Sequence, residues 1–210
     1  KEAGRPDMAL LQFPTGTNAS GVFTKNLVCA APVLICREVV DRNLLRAILI
    51  NSGNANACTG EKGEEDARIL CSSLANLMDC NPENVAMCST GIIGIELPTE
   101  LMLSALEGLV SGLSTKNGGP AAEAIMTTDT CPKEYALEVD FPEGKVRIGG
   151  MAKGAGMIAP NMATMLAFLT TDANVSKEVL DKVLVECVNE TFNAITIDGD
   201  TSTNDSVIVA

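Results

Sequence analysis

The residues with the most chemical potential lie in one segment, residues 151–172, which reads MAKGAGMIAPNMATMLAFLTTD. Lys153 is its only basic residue, and it stands among small and apolar neighbours. Glycines and a proline precede Ala163 and Thr164, and an apolar run follows them. This order predicts that Thr164 lies where a strained, glycine-rich loop enters a buried strand. The plainer alternative is an ordinary strand threonine on a half-buried face.

The sequence contains no histidine, which removes the usual means of activating a hydroxyl or thiol nucleophile. A threonine at a chain terminus can instead use its own α-amine as the base. The reference pKa of such an amine is about 7.7 to 8.0, so part of it is neutral near pH 7. Cleavage of the Ala163–Thr164 bond would create this terminus. Attack of the Thr164 hydroxyl on the Ala163 carbonyl converts the amide to an ester, which water can open.

The surrounding elements alternate between strands and helices, which indicates an α/β or α+β fold. Residues 46–51 predict a strand that runs into a glycine- and asparagine-rich loop. A helix is predicted with Glu64 in its first turn and Leu77 on its apolar face, a second from Thr99 with Leu101 on its apolar face, and a third after Ser176. A hairpin with one solvent-exposed face is predicted over residues 135–148. The chain closes on an apolar, strand-like run, VIVA, which needs a pairing neighbour and suggests that more protein follows.

Composition excludes several classes of function. The chain has 210 residues, of which 46% are hydrophobic and 20% charged, so it can bury a core. Its net charge of −12 disfavours nucleic acid and anionic membranes as partners. No uninterrupted apolar run is long enough to span a bilayer. The eight cysteines form no CxxC motif, so we interpret them as reduced core residues and expect no metal site.

Two further motifs are weaker than they look. Residues 154–159 match a G-x-G-x-x-A dinucleotide fingerprint, but Pro160 interrupts the helix that should follow. Residues 198–209 begin like a calcium loop, yet the sixth position is Thr203 and the twelfth is Val209. A turn whose polar side chains bond to nearby backbone is the better interpretation of the second motif.

Six ordered blocks resemble the ornithine acetyltransferases, or bifunctional glutamate N-acetyltransferases, of arginine biosynthesis. The likeness covers nearly the whole chain. The blocks are GVFT (21–24) with APV (31–33), NSGNANA (51–57), STGIIG (89–94), TTDT (127–130) with PK (132–133), KGAGMIAPNMAT (153–164) and DGDTSTND (198–205).

The resemblance implies a role for individual residues. Self-cleavage between Ala163 and Thr164 would leave Thr164 as the nucleophile that carries the acetyl group. Thr164 would also contact the substrate. Thr90 and Gly91 match the oxyanion positions, where one donor is typically worth about 2.7 to 4 kcal/mol of barrier. Thr127 and Lys153 match substrate-binding positions, and a lysine cation suits an amino-acid carboxylate.

The implied reaction moves the acetyl group of N-acetylornithine to glutamate through an acetyl-threonine, with ping-pong kinetics. The implied fold is a sandwich of two β-layers flanked by helices. No cofactor is expected; some members also accept acetyl-coenzyme A, and no motif here decides this. The expected location is the cytoplasm, or an organelle matrix in a eukaryote.

The resemblance also implies an assembly. Members are roughly twice this length, so residues 1–210 are interpreted as one α/β domain from a longer chain. Residues 1–163 would belong to the α chain and residues 164–210 would begin the β chain. The expected partners are the remainder of the β chain and a second copy, in a heterotetramer of two α and two β chains.

Two other functions are compatible with the residues. An aminopeptidase or amidohydrolase with an amino-terminal nucleophile would use the same threonine chemistry but pass the acyl group to water. A binding or assembly module could keep the sequence pattern without turnover.

Overall fold

The computed structural model describes residues 4–158 and 165–210. In this part of the chain there are eight strands and five α-helices. The strands are β1 (Met8–Gln12), β2 (Ser20–Phe23), β3 (Ala47–Asn54), β4 (Val85–Ile92), β5 (Lys133–Phe141), β6 (Gly144–Lys153), β7 (Leu166–Thr171) and β8 (Ser206–Val209). The helices are α1 (Ala31–Asp41), α2 (Gly60–Leu77), α3 (Thr99–Ser111), α4 (Gly118–Ala124) and α5 (Lys177–Glu190).

The strands form two sheets. The smaller has the order β1-β3-β4, with β1 antiparallel to β3 and β3 parallel to β4. The larger has the order β2-β8-β7-β6-β5, in which only the β7–β8 pair is parallel among the described strands. The mixed α+β class and the two β-layers predicted from the sequence are confirmed.

Strand β3 is the centre of the smaller sheet because its sequence, AILINSGN, begins with an apolar run. Its first six residues are buried, as expected for a strand covered on both faces. Helices α1 and α2 both pack against the neighbouring strand β4. The apolar start of β3 therefore fixes the strand in the core, while its polar end is carried to the edge of the sheet.

Strand β7 divides its side chains between two apolar clusters, since successive residues point to opposite faces. Leu166 and Phe168 join the main core, which also contains side chains from β3 and β4. Ala167 faces the other way and packs with Leu184 and Val188 of α5. The larger sheet is thus held between the main core and a helix, which agrees with the predicted layers.

The predicted elements are present, with shifted boundaries. Helix α2 begins at Gly60, so its first turn contains Glu61 and not Glu64. Leu77 at its end is 41% exposed, although the pattern placed it on the apolar face. Leu101 of α3 is 70% exposed, so its predicted place on the apolar face is wrong. The next residue, Met102, is only 4% exposed, so the buried face of α3 is narrower than its apolar face.

The predicted hairpin is present as β5–β6, but the prediction that one of its faces is buried is wrong. Tyr135 is 77% exposed and Phe141 is 53% exposed. Alternation of apolar and polar residues predicts which side chains share a face. It does not predict whether a second layer covers that face, and β5 is the edge strand of its sheet.

The terminal apolar run is β8, which pairs with β2 on one side and β7 on the other. The neighbours that this strand requires are therefore supplied within the chain. Among the described residues, every helix is too short or too polar to traverse a lipid bilayer.

All eight cysteines are free thiols. Cys36, Cys71 and Cys88 are buried, as predicted for core residues. The same prediction is wrong for three others, which are exposed: Cys58, Cys131 and Cys187.

Candidate active site

The two sheets meet at a buried pair formed by Thr90 and Lys153. Thr90 lies near the end of β4, and Lys153 is the last residue of β6. The Lys153 Nζ donates to Thr90 Oγ1 at 2.8 Å, and both residues are at most 4% exposed. An ammonium group can only donate, so the Thr90 oxygen is the acceptor in this bond. The hydroxyl hydrogen of Thr90 is therefore not used in this bond.

Gly91 follows Thr90 and can only be glycine in this backbone. Its φ is +136°, and a Cβ atom there would lie 2.2 Å from the carbonyl carbon of Gly53. Ser52 pairs with Thr90 and Gly53 with Gly91, so the polar ends of β3 and β4 run side by side. This close approach leaves the Gly91 backbone exposed next to the buried Thr90 hydroxyl.

Amide side chains hold this edge of the smaller sheet. Asn51 accepts a hydrogen bond from the Ser89 hydroxyl at 2.6 Å and donates to the Asn54 carbonyl at 2.8 Å. Asn204, from the loop before β8, donates to the carbonyls of Ala55 at 2.6 Å and Ser89 at 2.9 Å. The loop before β8 is thereby fixed against the strand that carries Thr90.

Asp129 connects Thr127 to the end of β6. Its carboxylate accepts the Thr127 N–H at 3.2 Å and the Gly154 N–H at 2.8 Å, and it forms an ion pair with Lys133. Burial alone would raise the pKa of Asp129, but the Lys133 ammonium and the two N–H donors lower it below its ordinary value. Asp129 therefore stays ionised and links the Thr127 backbone to that of Gly154, the residue after Lys153.

Asp198 holds the glycine-rich loop that follows Lys153. Its carboxylate accepts the Met157 N–H at 2.5 Å and the Ile158 N–H at 2.8 Å. The Met157 N–H is the main reason that the pKa of Asp198 is lowered. This geometry supports the interpretation of residues 198–205 as a turn whose polar side chains bond to backbone.

Asp205 is the most deeply buried acid of this region, at 1% exposure. Its Oδ1 accepts the Met165 N–H at 2.9 Å, whereas its Oδ2 has no hydrogen-bond partner in the part of the chain that is described. Burial raises the pKa of Asp205 to about 7, although the Met165 N–H, the Ser202 side chain and the Lys153 charge act to lower it.

The predicted site residues fall into three groups. Thr90 and Lys153 are in direct contact and Gly91 adjoins them. Thr127 is linked to the same corner through Asp129. Ala163 and Thr164 lie outside the described residues.

Sequence reasoning missed the three residues that organise the site, Asp129, Asn204 and Asp205. Each lies inside a block that carried the family resemblance, which was the available signal. Asp129 has near neighbours in Thr127 and Lys133. The longer-range partners of the three residues, such as Gly154 for Asp129 and Met165 for Asp205, come from other segments, so no spacing predicts them. In the described ranges, no group of three or more His, Cys, Asp or Glu residues could hold a metal ion.

The fold belongs to a recognisable class. It is similar to that of the l-aminopeptidase D-ala-esterase/amidase from Ochrobactrum anthropi, a variant of the Ntn (N-terminal nucleophile) hydrolase fold. The TM-score is 0.53, over 97% of this chain and 60% of that chain. The sequences are only 11% identical, so the likeness concerns the fold alone.

The chain belongs to the ArgJ family, whose model matches residues 1–210. It is 48% identical over 207 residues to the arginine biosynthesis bifunctional protein ArgJ of Symbiobacterium thermophilum. That match covers 99% of this chain and 52% of the relative. It is 38% identical, with a TM-score of 0.66, to the ornithine acetyltransferase of Mycobacterium tuberculosis crystallised with ornithine; the match covers 76% of this chain and 84% of that one. The chain spans about half the length of the curated relatives it matches. The resemblance inferred from the six blocks is confirmed.

Proposed function

We propose that the protein carrying this chain is a self-processing acetyltransferase of arginine biosynthesis, a glutamate N-acetyltransferase with an amino-terminal threonine nucleophile. It transfers the acetyl group of N-acetylornithine to glutamate through an acetyl-Thr164 intermediate. The observation that carries the proposal is the buried contact of Lys153 with Thr90, next to Gly91, in a member of the ArgJ family. A relative with 38% identity was crystallised with ornithine, which supports this substrate class.

The first step is cleavage of the chain. The Thr164 Oγ attacks the Ala163 carbonyl carbon, the C–N bond breaks, and the nitrogen takes the hydroxyl proton. Water then opens the resulting ester, leaving a carboxylate on Ala163 and a free α-amine on Thr164. Residues 1–163 and 164–210 would then belong to separate chains, as the sequence predicts.

The second step is acyl transfer. The neutral α-amine accepts the Thr164 hydroxyl proton while Oγ attacks the acetyl carbonyl of N-acetylornithine. Thr90 is suited to the developing oxyanion because Lys153 occupies its oxygen as a donor, which leaves the Thr90 O–H to donate elsewhere. The backbone N–H of Gly91 is the second oxyanion donor.

Ornithine then leaves with the proton held by the amine, and the glutamate amine attacks the acetyl-threonine to form N-acetylglutamate. In this proposal Lys153 adds a positive charge beside a site that takes amino-acid carboxylates, and Thr127 contacts the same substrates. No cofactor takes part in these steps, and acetyl-coenzyme A is a second acetyl donor to be tried. The proposal includes a heterotetramer of two α and two β chains, located in the cytoplasm or an organelle matrix.

The aminopeptidase alternative has less support. The aminopeptidase with a similar fold shares 11% sequence identity with this chain, which supports a common architecture and nothing about the acyl acceptor.

The identity of the molecule that accepts the acetyl group can be tested directly. The full-length protein would be incubated with N-acetylornithine in the presence and absence of glutamate, while acetate and N-acetylglutamate are measured. We expect N-acetylglutamate in proportion to the ornithine released, and parallel double-reciprocal plots. Acetate release that glutamate does not change would contradict the proposal and favour a hydrolase.

A further inference from the structure

The side chain of Asn204 joins the polar ends of β3 and β4. Asn204 lies in the loop before β8 and is 6% exposed. Its Nδ2 donates to the carbonyl of Ala55 at 2.6 Å and to that of Ser89 at 2.9 Å. Ala55 comes directly after β3, and Ser89 lies within β4. One amide group therefore connects both strands from a third segment of the chain.

The partners of this amide fix its orientation. Both hydrogens of Nδ2 are donated to carbonyls, which can only accept. Oδ1 accepts the hydroxyl of Thr203 at 2.5 Å, and Thr203 is itself buried. The backbone N–H of Asn204 donates to Ser202 Oγ at 3.1 Å. The Thr203 hydroxyl therefore holds the amide with its nitrogen toward the two strands.

The amide stands where the regular pairing of the two strands is interrupted. Strand β3 pairs evenly with β4 as far as Gly53, and the register shifts at Asn54. Gly53 and its partner Gly91 both have positive φ, at +106° and +136°. Glycine restricts its backbone less than other residues do. Strand pairing alone therefore gives a weak constraint on the peptide groups next to Thr90.

The hydrogen bond to Ser89 acts directly on Thr90. The Ser89 carbonyl and the Thr90 N–H belong to the same planar peptide group, so a bond that fixes one also fixes the other. The Thr90 side chain is held separately by Lys153, whose Nζ donates to Oγ1 at 2.8 Å. With this peptide and the side chain both held, the ψ angle of Thr90 sets the direction of the Gly91 N–H.

A second chain of bonds reaches Gly91 from its other side. The carbonyl of Ile92, the next residue, accepts the Ala55 N–H at 2.9 Å. The Ala55 carbonyl in turn accepts from Asn204. Thr90 and Gly91 are therefore bracketed by backbone groups whose hydrogen bonds lead back to the same amide.

We propose that Asn204 is a positioning residue for acetyl transfer, which holds Thr90 and Gly91 in the orientation that an oxyanion requires. The inference rests on the proposed function and adds a residue to that same site. Oxyanion donors are effective when they are fixed before the charge develops, because they then need no reorganisation during the reaction. Asn204 acts through Thr90 and Gly91, and Thr203 keeps its amide in place.

The test is a double-mutant cycle of Asn204→Ala and Thr90→Val in the full-length protein, with N-acetylornithine and glutamate as substrates. The value of kcat is expressed per cleaved chain, counted by mass spectrometry. We expect Asn204→Ala to lower kcat by about 10²-fold with little change in KM. Because both changes disable the same donor, the double variant should lose less than the product of the two single effects.

Asn18→Ala is the matched control. The Asn18 Nδ2 donates to the Val175 carbonyl at 2.7 Å, so it also links distant segments, and neither residue touches the site. This variant should be less stable than the wild type but keep its kcat. Single effects that multiply in the cycle, a rise in KM alone, or an equal fall of kcat in Asn18→Ala would each overturn the inference. A folded Asn204→Ala protein that stays uncut would overturn it too, by placing the role of Asn204 in cleavage.

Should Asn204→Ala fail to fold, Thr203→Val supplies the measurement. Valine keeps the shape of threonine but removes the hydroxyl that orients the Asn204 amide. We expect kcat to fall by about tenfold with little change in KM, since the amide is still present. A folded Thr203→Val protein with the kcat of the wild type would contradict the inference. If the wild type forms no N-acetylglutamate, the proposed function fails; if it does and the variants keep its kcat, only the role of Asn204 fails.

Discussion

Asp129 and Asp205 both lie close to Lys153, but their carboxylates are bonded differently. Asp129 receives two backbone N–H groups and the Lys133 ammonium, and its pKa is lowered. Asp205 receives one N–H on one oxygen, none of the described residues bonds the other oxygen, and burial raises its pKa to about 7. A carboxylate whose donors outweigh its burial keeps a low pKa, whereas one whose burial outweighs its donors has a raised pKa.

The largest effect should come from Thr164, the proposed nucleophile. Thr164→Ala removes the nucleophile, so we expect complete loss of cleavage and acyl transfer with an unchanged fold. Gel electrophoresis and an acetyl-transfer assay measure both, and Thr164→Ser, which keeps a hydroxyl, is the matched control. Continued cleavage at this bond in the alanine variant would contradict the assignment.

The next effect concerns the oxyanion position. Thr90→Val keeps the shape of the side chain but removes the hydroxyl, so we expect kcat to fall by about 10²–10³-fold with a smaller change in KM. Steady-state kinetics on the full-length protein provide the measurement, and Thr115→Val, at an exposed threonine, is the control. A rise in KM alone would indicate that Thr90 binds substrate without stabilising the transition state.

The two aspartates should affect stability with opposite pH dependence. In the uncut Thr164→Ala protein, the pKa of Asp205 is raised from 3.8 to about 7, so its contribution is fully present below about pH 4 and is lost as pH rises to about 7. The loss should be of the order of a few kcal/mol in the free energy of unfolding. The pKa of Asp129 is lowered, so its contribution is lost in acid instead.

Urea unfolding at a series of pH values measures this difference. Adding Asp205→Asn should flatten the decline between pH 4 and pH 7, while adding Asp129→Asn should leave that decline intact. The same decline in the Asp205→Asn protein would mean that another group causes it.

The smallest effect should be at the exposed partner of Asp129. Lys133 is 45% exposed, so Lys133→Met should lower the free energy of unfolding by less than about 1 kcal/mol. Urea unfolding with Lys116→Met as control measures it. A loss of several kcal/mol would show that the two backbone donors cannot hold Asp129 alone.

Much of the fold could be predicted because it depends on local patterns. The apolar run of β3 and the alternation in the β5–β6 hairpin gave correct strands. The exposed faces of that hairpin could not be predicted, since exposure depends on layers formed by distant segments.

For the site, the identities of several residues could be predicted from the sequence, but the contacts between them could not. Thr90, Gly91, Thr127 and Lys153 followed from the family resemblance. The contact of Lys153 with Thr90 joins positions 63 apart in sequence, and that of Asp205 with Met165 joins positions 40 apart. No periodicity reports such distances, so these two contacts emerged only from the packed structure.

The most direct test of the central proposal is the mass and amino-terminal sequence of the chains formed by the full-length protein after incubation with N-acetylornithine alone. We expect a chain that begins Thr-Met-Leu-Ala-Phe, with one acetyl group on the side chain of Thr164. A single uncut chain, or an acetyl group on any other residue, would contradict it.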